Sequence, residues 1–211
     1  MSPVEIIHDE QPIRLFKSNF LEFFTHVSPI AIIVIWLPII ILLLWLSIAN
    51  PMSNFLIVFF GLLIGLFVWT LSEYLLHRFV FHFKPRNKRQ ERITFLFHGI
   101  HHAQPKDKTR LVMPPAVSIP LALLFFGFFY LIFSVILKVT PWLYPAFTGF
   151  LIGYLIYDLM HYATHHFPMR KGIWKQLKRL HMQHHYKYPD QLFGVSSPVW
   201  DYVFSTLPKE K

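Results

Sequence analysis

The chain divides into long apolar blocks separated by long polar ones. Residues 29–49 form an uncharged apolar run of 21 residues. At about 1.5 Å per residue, a helix of that length crosses a hydrocarbon core of roughly 30 Å. Pro38 lies inside the run and is a candidate kink. Asn50, Pro51, Met52, Ser53 and Asn54 then signal a turn. A second apolar run covers residues 55–71 and continues less purely to 76. A polar stretch, residues 78–110, follows. Pro114 and Pro115 introduce a third run, 116–137, and Thr140 with Pro141 marks another short turn. The fourth run, 142–156, passes into Tyr157 and Asp158, and the remainder from His161 is polar and basic. The pattern predicts an all-α integral membrane protein. Its four transmembrane helices, at about 29–49, 55–76, 116–137 and 142–160, form two hairpins. A helical cap is built from 77–115 and 161–211, and the whole is one domain, 1–211.

Charge orients this arrangement. Of 20 Lys and Arg, 2 precede the first run, 9 lie in residues 78–110 and 8 follow the fourth run, while the outer turns hold only Lys138. By the positive-inside rule the termini and the cap are cytoplasmic. The net charge of +9 therefore reads as membrane topology rather than nucleic-acid binding. Residues 1–22 are mixed and carry Glu5, Asp9, Glu10 and Glu22, unlike a cleavable signal. Composition agrees with a lipid environment: 54% of residues are hydrophobic and 15% charged, against about 25% charged in globular domains. There are no cysteines, which excludes disulfides, zinc–thiolate sites and iron–sulfur clusters.

Histidine changes the picture. Thirteen occur, and ten fall into four tight groups. His77 and His82 are five apart, about 140° around a regular helix, so that helix must distort or end if both rings serve one centre. His98, His101 and His102 follow an i, i+3, i+4 pattern that puts them on one helical face. His161 and His165 form an i, i+4 pair, with His166 pointing about 100° away. His181, His184 and His185 repeat the i, i+3, i+4 pattern. The first two groups follow the second apolar run and the last two follow the fourth, so all four can converge at one face. Buried imidazoles need partners, and ten together point to metal. One ion accepts four to about six ligands, so ten imply two ions, with five ligands each or four each plus spares. Imidazole suits iron, zinc, copper and nickel. A redox role favours iron, and zinc, higher in the affinity order than iron(II), can replace it in purified protein.

Other residues carry two readings each. Asp158, three before His161, either orients an imidazole by hydrogen bonding or serves as a cap or ion pair. Tyr157 either contacts substrate or is an interfacial aromatic, and Glu73, four before His77, has the same ambiguity as Asp158. His8, His26 and His166 stand outside the repeated geometry and read as non-ligands.

These residues resemble the fatty acid hydroxylase superfamily, whose order of motifs is HxxxxH, HxxHH, HxxxH, HxxHH. The closer likeness is to the fatty acid 2-hydroxylases, also called sphingolipid or dihydroceramide fatty acyl 2-hydroxylases. It is carried by EYLLHRFVFH (73–82), FHGIHHAQPKDKTRLVMPP (97–115), YDLMHYATHH (157–166), LHMQHHY (180–186) and FGVSSPVWDYVFSTL (193–207), although the family commonly has Gly where this chain has Ser205. The resemblance implies two irons, molecular oxygen and hydroxylation of the carbon beside an acyl carbonyl. It assigns metal binding to His77, His82, His98, His101, His102, His161, His165, His181, His184 and His185. It also implies a membrane lipid substrate. Yeast and animal members have a fused cytochrome b5 domain, for which this chain has no room and no His-Pro-Gly-Gly segment. Electrons are therefore expected from a separate donor such as cytochrome b5 or a ferredoxin. The basic residues Lys84, Arg86, Lys88 and Arg89 suit either an acidic donor or anionic headgroups. The host membrane is expected to be endoplasmic reticulum or bacterial inner membrane. The nearest rivals are a sterol oxidase, a carotenoid hydroxylase or a desaturase. A metal transporter is the rival of another class, disfavoured because the histidines follow the apolar runs rather than interrupting them.

Overall fold

A computed structural model describes residues 11–208, and His8 lies outside the described residues. Among the described residues every regular element is helical. A short first helix, α1 (Asn19–Phe23), is capped by Ser18, which accepts from the Leu21 amide. Ser28 caps α2 (Pro29–Ala49) by accepting from Ala31 N, and Pro29 occupies the first turn, where no amide is needed. Pro38 sits within α2 without ending it. Asn54 caps α3 (Phe55–Leu75), which runs directly into a π-helical turn, Leu76–Phe81. The second helix thus extends beyond the expected end at 76 and carries His77 itself. Next come α4 (Lys88–Thr94), a second π turn at Phe95–Gly99, and α5 (Ile100–Ala103). The third long helix, α6 (Pro115–Tyr130), ends in a π turn, Leu131–Ile136. A 3-10 turn, Thr140–Trp142, leads into α7 (Leu143–His166). The polar remainder holds α8 (Gly172–Tyr186) and α9 (Val199–Val203). Where sequence ends the fourth helix at 160, α7 continues to His166, so His161 and His165 lie on a spanning helix rather than in a separate cap.

Among the described residues, four helices are long and apolar enough to cross a membrane: Pro29–Ala49, Phe55–Phe81, Pro115–Ile136 and Thr140–His166. The last is mostly buried while the other three are mostly exposed. Accordingly α7 is the axis of the bundle. Both α3 and α2 pack along it, and α2 and α3, although joined by a hairpin turn, touch each other little. Phe55, Leu123 and Leu124 are among the large apolar side chains pointing outward, as expected where lipid rather than water is the solvent.

The α3–α7 contact brings the helix backbones together. On α3, Gly61 meets Pro145 and Ala146 and Gly65 meets Ala146 and Phe150, while on α7 Gly149 meets Leu62 and Gly153 meets Trp69. An ideal Cβ on Gly65 would stand 1.9 Å from the Ala146 carbonyl oxygen, and one on Gly149 would stand 2.1 Å from that of Leu62. These two small-xxx-small patterns are legible in the sequence as GLLIG and GFLIG, a signal for close helix packing in a membrane that the apolar runs alone do not carry. Trp69, Phe150 and Tyr154 continue the seam toward the histidines.

Two segments outside the spanning helices are fixed by long-range hydrogen bonds. Trp200 on α9 donates from Nε1 to Thr70 Oγ1 on α3 at 3.0 Å. Thr70 lies seven residues from His77, about 10 Å along the helix. Val199, Tyr202 and Val203 are exposed at that depth. So part of the expected cap lies beside a spanning helix, in a piece too short to register as a span. Ser205, just beyond α9, has φ of +53°. That left-handed conformation is strained for any residue but glycine, which explains why glycine suits this position.

The other segment is residues 11–28. Glu22 Oε2 accepts from Leu15 N at 3.0 Å and Phe16 N at 2.7 Å, and Oε1 pairs with Arg110 Nη2 at 2.6 Å. Burial pushes the Glu22 carboxyl up, but these amides and the Arg110 charge outweigh it and hold the group below the usual range. At the far end Val27 N donates to Thr109 O at 2.7 Å. His26 Nδ1 meets Thr109 Oγ1 at 2.6 Å, a polar role consistent with a non-ligand. Glu22→Gln is therefore expected to loosen this strap. Hydrogen exchange across residues 15–25 should rise about 10- to 100-fold, the equivalent of losing a charged hydrogen bond of about 1.5–3 kcal/mol. Exchange unchanged from wild type would show that the Arg110 pair does not hold it.

Candidate metal centre and cavity

The ten clustered histidines form two groups of five. His77, His82, His98, His102 and His184 make one, and His101, His161, His165, His181 and His185 make the other. Within each group, the candidate ligand nitrogens all lie within 4.8 Å of one another. The first π turn explains how His77 and His82 share a group. Its i to i+5 hydrogen bond, His82 N to His77 O at 3.0 Å, brings residues five apart onto nearby positions. Each HxxHH motif is divided between the groups. His98 and His102 enter the first while His101 enters the second, and His181 and His185 enter the second while His184 enters the first. The shared helical face expected of each HxxHH motif thus lies between the two groups and contributes to both. His166 belongs to neither group; its ring packs on Tyr162 at 4.7 Å.

Every member presents Nε2 to another member's Nε2. In the first group the separations are 3.0 Å for His77–His98, His98–His102 and His82–His184. In the second they are 2.8 Å for His101–His161, 2.9 Å for His101–His185 and His165–His181, and 3.2 Å for His181–His185. Burial holds His98, His101, His102, His181 and His185 well below the usual imidazole pKa and brings His184 down to about 4. These rings are neutral at pH 7, each with one N–H and one lone pair.

Several of those protons are committed. His77 Nδ1 donates to Phe193 O at 2.6 Å and His184 Nδ1 to Gln191 O at 2.7 Å. His161 likewise bonds the Leu111 backbone. Their Nε2 atoms are therefore bare lone pairs directed at other imidazole nitrogens. A shared cation relieves that opposition. Nitrogens at about 2.1 Å from a common ion stand about 3.0 Å apart at right angles and about 3.4 Å apart in a tetrahedron. The observed separations suit the former, and the donor set fits two imidazole-bound transition-metal ions.

Both groups border one apolar cavity of about 340 Å³. His98 of the first group and His101 and His161 of the second line it, together with Tyr157, Asp158 and Met113. Leu15, Phe16, Leu21 and Phe24 of the amino-terminal strap close its outer wall. No local pattern in the sequence marks this wall, which the Glu22–Arg110 pair helps to hold across a separation of 88 residues.

Asp158 does not bond a histidine. It accepts from Met113 N at 3.0 Å and from the Tyr154 hydroxyl at 3.2 Å. It thus holds the backbone two residues from Leu111, the partner of His161. Tyr157 stacks on His161, with ring centres 5.8 Å apart, and faces the cavity. Glu73 accepts from Val195 N at 2.6 Å and Ser196 N at 2.8 Å, and from the Ser196 hydroxyl. It also makes no bond to a histidine.

Helices that span a membrane, paired imidazole groups suited to metal and an apolar cavity at the membrane boundary define a class: integral-membrane enzymes of the histidine-motif type. More particularly, the family model for fatty acid hydroxylase matches residues 62–206, and the chain belongs to that family. It is 40% identical to the dihydroceramide fatty acyl 2-hydroxylase FAH1 of Arabidopsis thaliana over 94% of this chain and 81% of that protein. It is also 40% identical to the ceramide very long chain fatty acid hydroxylase SCS7 of Saccharomyces cerevisiae, over 89% of this chain and 48% of that one. Against the human fatty acid 2-hydroxylase the identity is 36%, covering 95% and 58%. The solved structure of full-length Scs7p, in which only the hydroxylase domain is visible, superposes with a TM-score of 0.81 at 39% identity, covering 90% of this chain and 70% of that one.

Proposed function

We propose that this chain is a di-iron, oxygen-dependent enzyme that hydroxylates the 2-position of fatty acyl chains, those of ceramide-type sphingolipids in particular. The observation that carries this reading is the apolar cavity bordered by both five-histidine groups at once. All ten histidines are assigned as metal ligands. Two irons so held would supply reductive activation of oxygen, one atom entering the substrate and the other leaving as water with two electrons and two protons.

The chain's own residues select and place the substrate. Leu15, Phe16, Phe24, Phe81 and Val112 take up the acyl chain and keep water out. The Tyr157 hydroxyl donates to the acyl carbonyl, which sets the adjacent carbon beside His98, His101 and His161. Asp158 fixes the Met113 backbone at the cavity wall. The donor is a separate carrier, such as cytochrome b5 or a ferredoxin, docked on the basic side that carries Lys84, Arg86, Lys88 and Arg89. The single domain lies in endoplasmic reticulum or bacterial inner membrane with this side cytoplasmic.

Expression in cells that lack 2-hydroxy sphingolipids tests the assignment. Lipid mass spectrometry under 18O2 should show 2-hydroxy acyl species carrying one labelled oxygen. A new double bond or a hydroxylated ring in place of that product would transfer the chain to a desaturase, carotenoid hydroxylase or sterol oxidase role. Oxygen-independent metal uptake by vesicles without any lipid product would mark a transporter.

A further inference from the structure

The two histidine groups are held by different means. In the first, residues 191–196 form a strap that offers the Gln191 and Phe193 carbonyls to His184 and His77. Four consecutive amides of this strap are pinned by two carboxylates. Asp201 accepts from Phe193 N and Gly194 N, both at 2.8 Å. Glu73 accepts from Val195 N and Ser196 N. Thr206 Oγ1 donates to Asp201 at 2.7 Å, and Leu192 N donates to Thr206 O at 3.1 Å. Leu192 is buried with φ of +61°, a conformation that persists only where surroundings impose it. Gly194 admits no side chain, since a Cβ would lie 2.0 Å from Ser197 O.

The second group lacks such a frame. Among the described residues, His161 is the one member tied to a backbone carbonyl, at Leu111. His101, His181 and His185 each have a buried Nδ1 with no hydrogen-bond partner among the described residues, and in the first group His82 is in that position. An N–H donated to a carbonyl fixes the tautomer and ring angle and makes Nε2 a better ligand. Rings held in advance also lose less freedom when an ion binds.

We propose that the two metal sites are unequal: the site of His77 and His184 binds its ion more tightly because the strap, held by Asp201 and Glu73, pre-orients its ligands. Asp201 and Glu73 are positioning residues for that site alone. The inference rests on the metal-binding assignment above.

The test is metal titration of the full chain in detergent, stripped by chelation and titrated anaerobically with Fe(II) or with Co(II) as a spectroscopic probe. Wild type should bind two ions in two resolved phases. Asp201→Asn turns an amide NH2 or a weaker oxygen toward the strap amides and should weaken the tighter phase alone, by about 10- to 100-fold. His185→Ala should abolish the looser phase and leave the tighter one. Thr206→Val, a milder change that removes one donor to Asp201, should shift the same tighter phase several-fold if Asp201→Asn fails to fold. Equal phases in wild type, or an Asp201 or Thr206 effect spread over both ions, would overturn the inequality while leaving the hydroxylase reading intact. Failure of wild type to bind any ion would overturn both.

Discussion

His184→Ala is expected to remove one metal ion and leave the other, and the neighbouring change His185→Ala to remove the opposite one. The two residues are adjacent in sequence, yet His184 Nε2 meets His82 at 3.0 Å and His185 Nε2 meets His101 at 2.9 Å, in different groups. Metal analysis of each purified variant should therefore return about one ion per chain where wild type returns two. The double variant should return none. Hydroxylation should fall below about 1% in each single variant. Altering a residue that merely supports a ligand already costs about 10- to 100-fold, and loss of the ligand itself costs more. The effects on activity should not multiply in the double variant, since residues that act as a unit are not additive. A variant that loses both ions together, or loses none, would refute the division of the histidines into two groups of five.

That division shows what the sequence discloses and what it withholds. The four spans are legible because lipid demands about 20 apolar residues in a row, and α2 begins and ends where the apolar run does. The ten histidines are legible from clustering. Their allocation is not. In an HxxHH motif the first and third rings lie about 40° apart, while the second lies about 100° from the third. A single face would make its two edges equivalent, whereas the fold places each edge in a different histidine group. The π turns at Leu76–Phe81 and Phe95–Gly99 have no sequence signature of their own, although the five-residue gap between His77 and His82 requires some distortion. Asp158 and Glu73 show the limit of local spacing. Each stands three or four residues before a histidine, so each is placed to bond it along the helix. Each instead bonds the backbone of a distant segment, at Met113 and at Val195 and Ser196, because buried amides in irregular loops must also find acceptors. The cavity was equally hidden, since its outer wall comes from residues tied down by long-range contacts, the Glu22–Arg110 pair and the Val27–Thr109 hydrogen bond among them.

Gly65→Val is expected to disable the protein without touching a histidine. The first histidine group takes His77 from the π turn that continues α3, and the second takes His161 and His165 from the end of α7. The separation of the two helices therefore sets the separation of the groups. At Gly65 the helices approach until a Cβ would stand 1.9 Å from Ala146 O and 2.5 Å from Phe150 N, both backbone atoms that cannot rotate away. The same holds at Gly149 against Leu62. Accommodating a valine requires the helices to part along their length, which also opens the packing of Trp69 on Phe150 and Tyr154. Overpacking typically costs about 1–3 kcal/mol and sometimes more, and a clash with backbone belongs at or above the top of that range. Thermal unfolding in detergent should shift down by several degrees or more, with loss of bound metal and of 2-hydroxy product. Gly127→Val supplies the control. It lies on α6 with nothing within 4 Å of its Cβ position, so the same substitution there should leave unfolding in detergent, metal content and product close to wild type. If Gly65→Val matched Gly127→Val, the close contact between α3 and α7 would not be what holds the two histidine groups at their working distance.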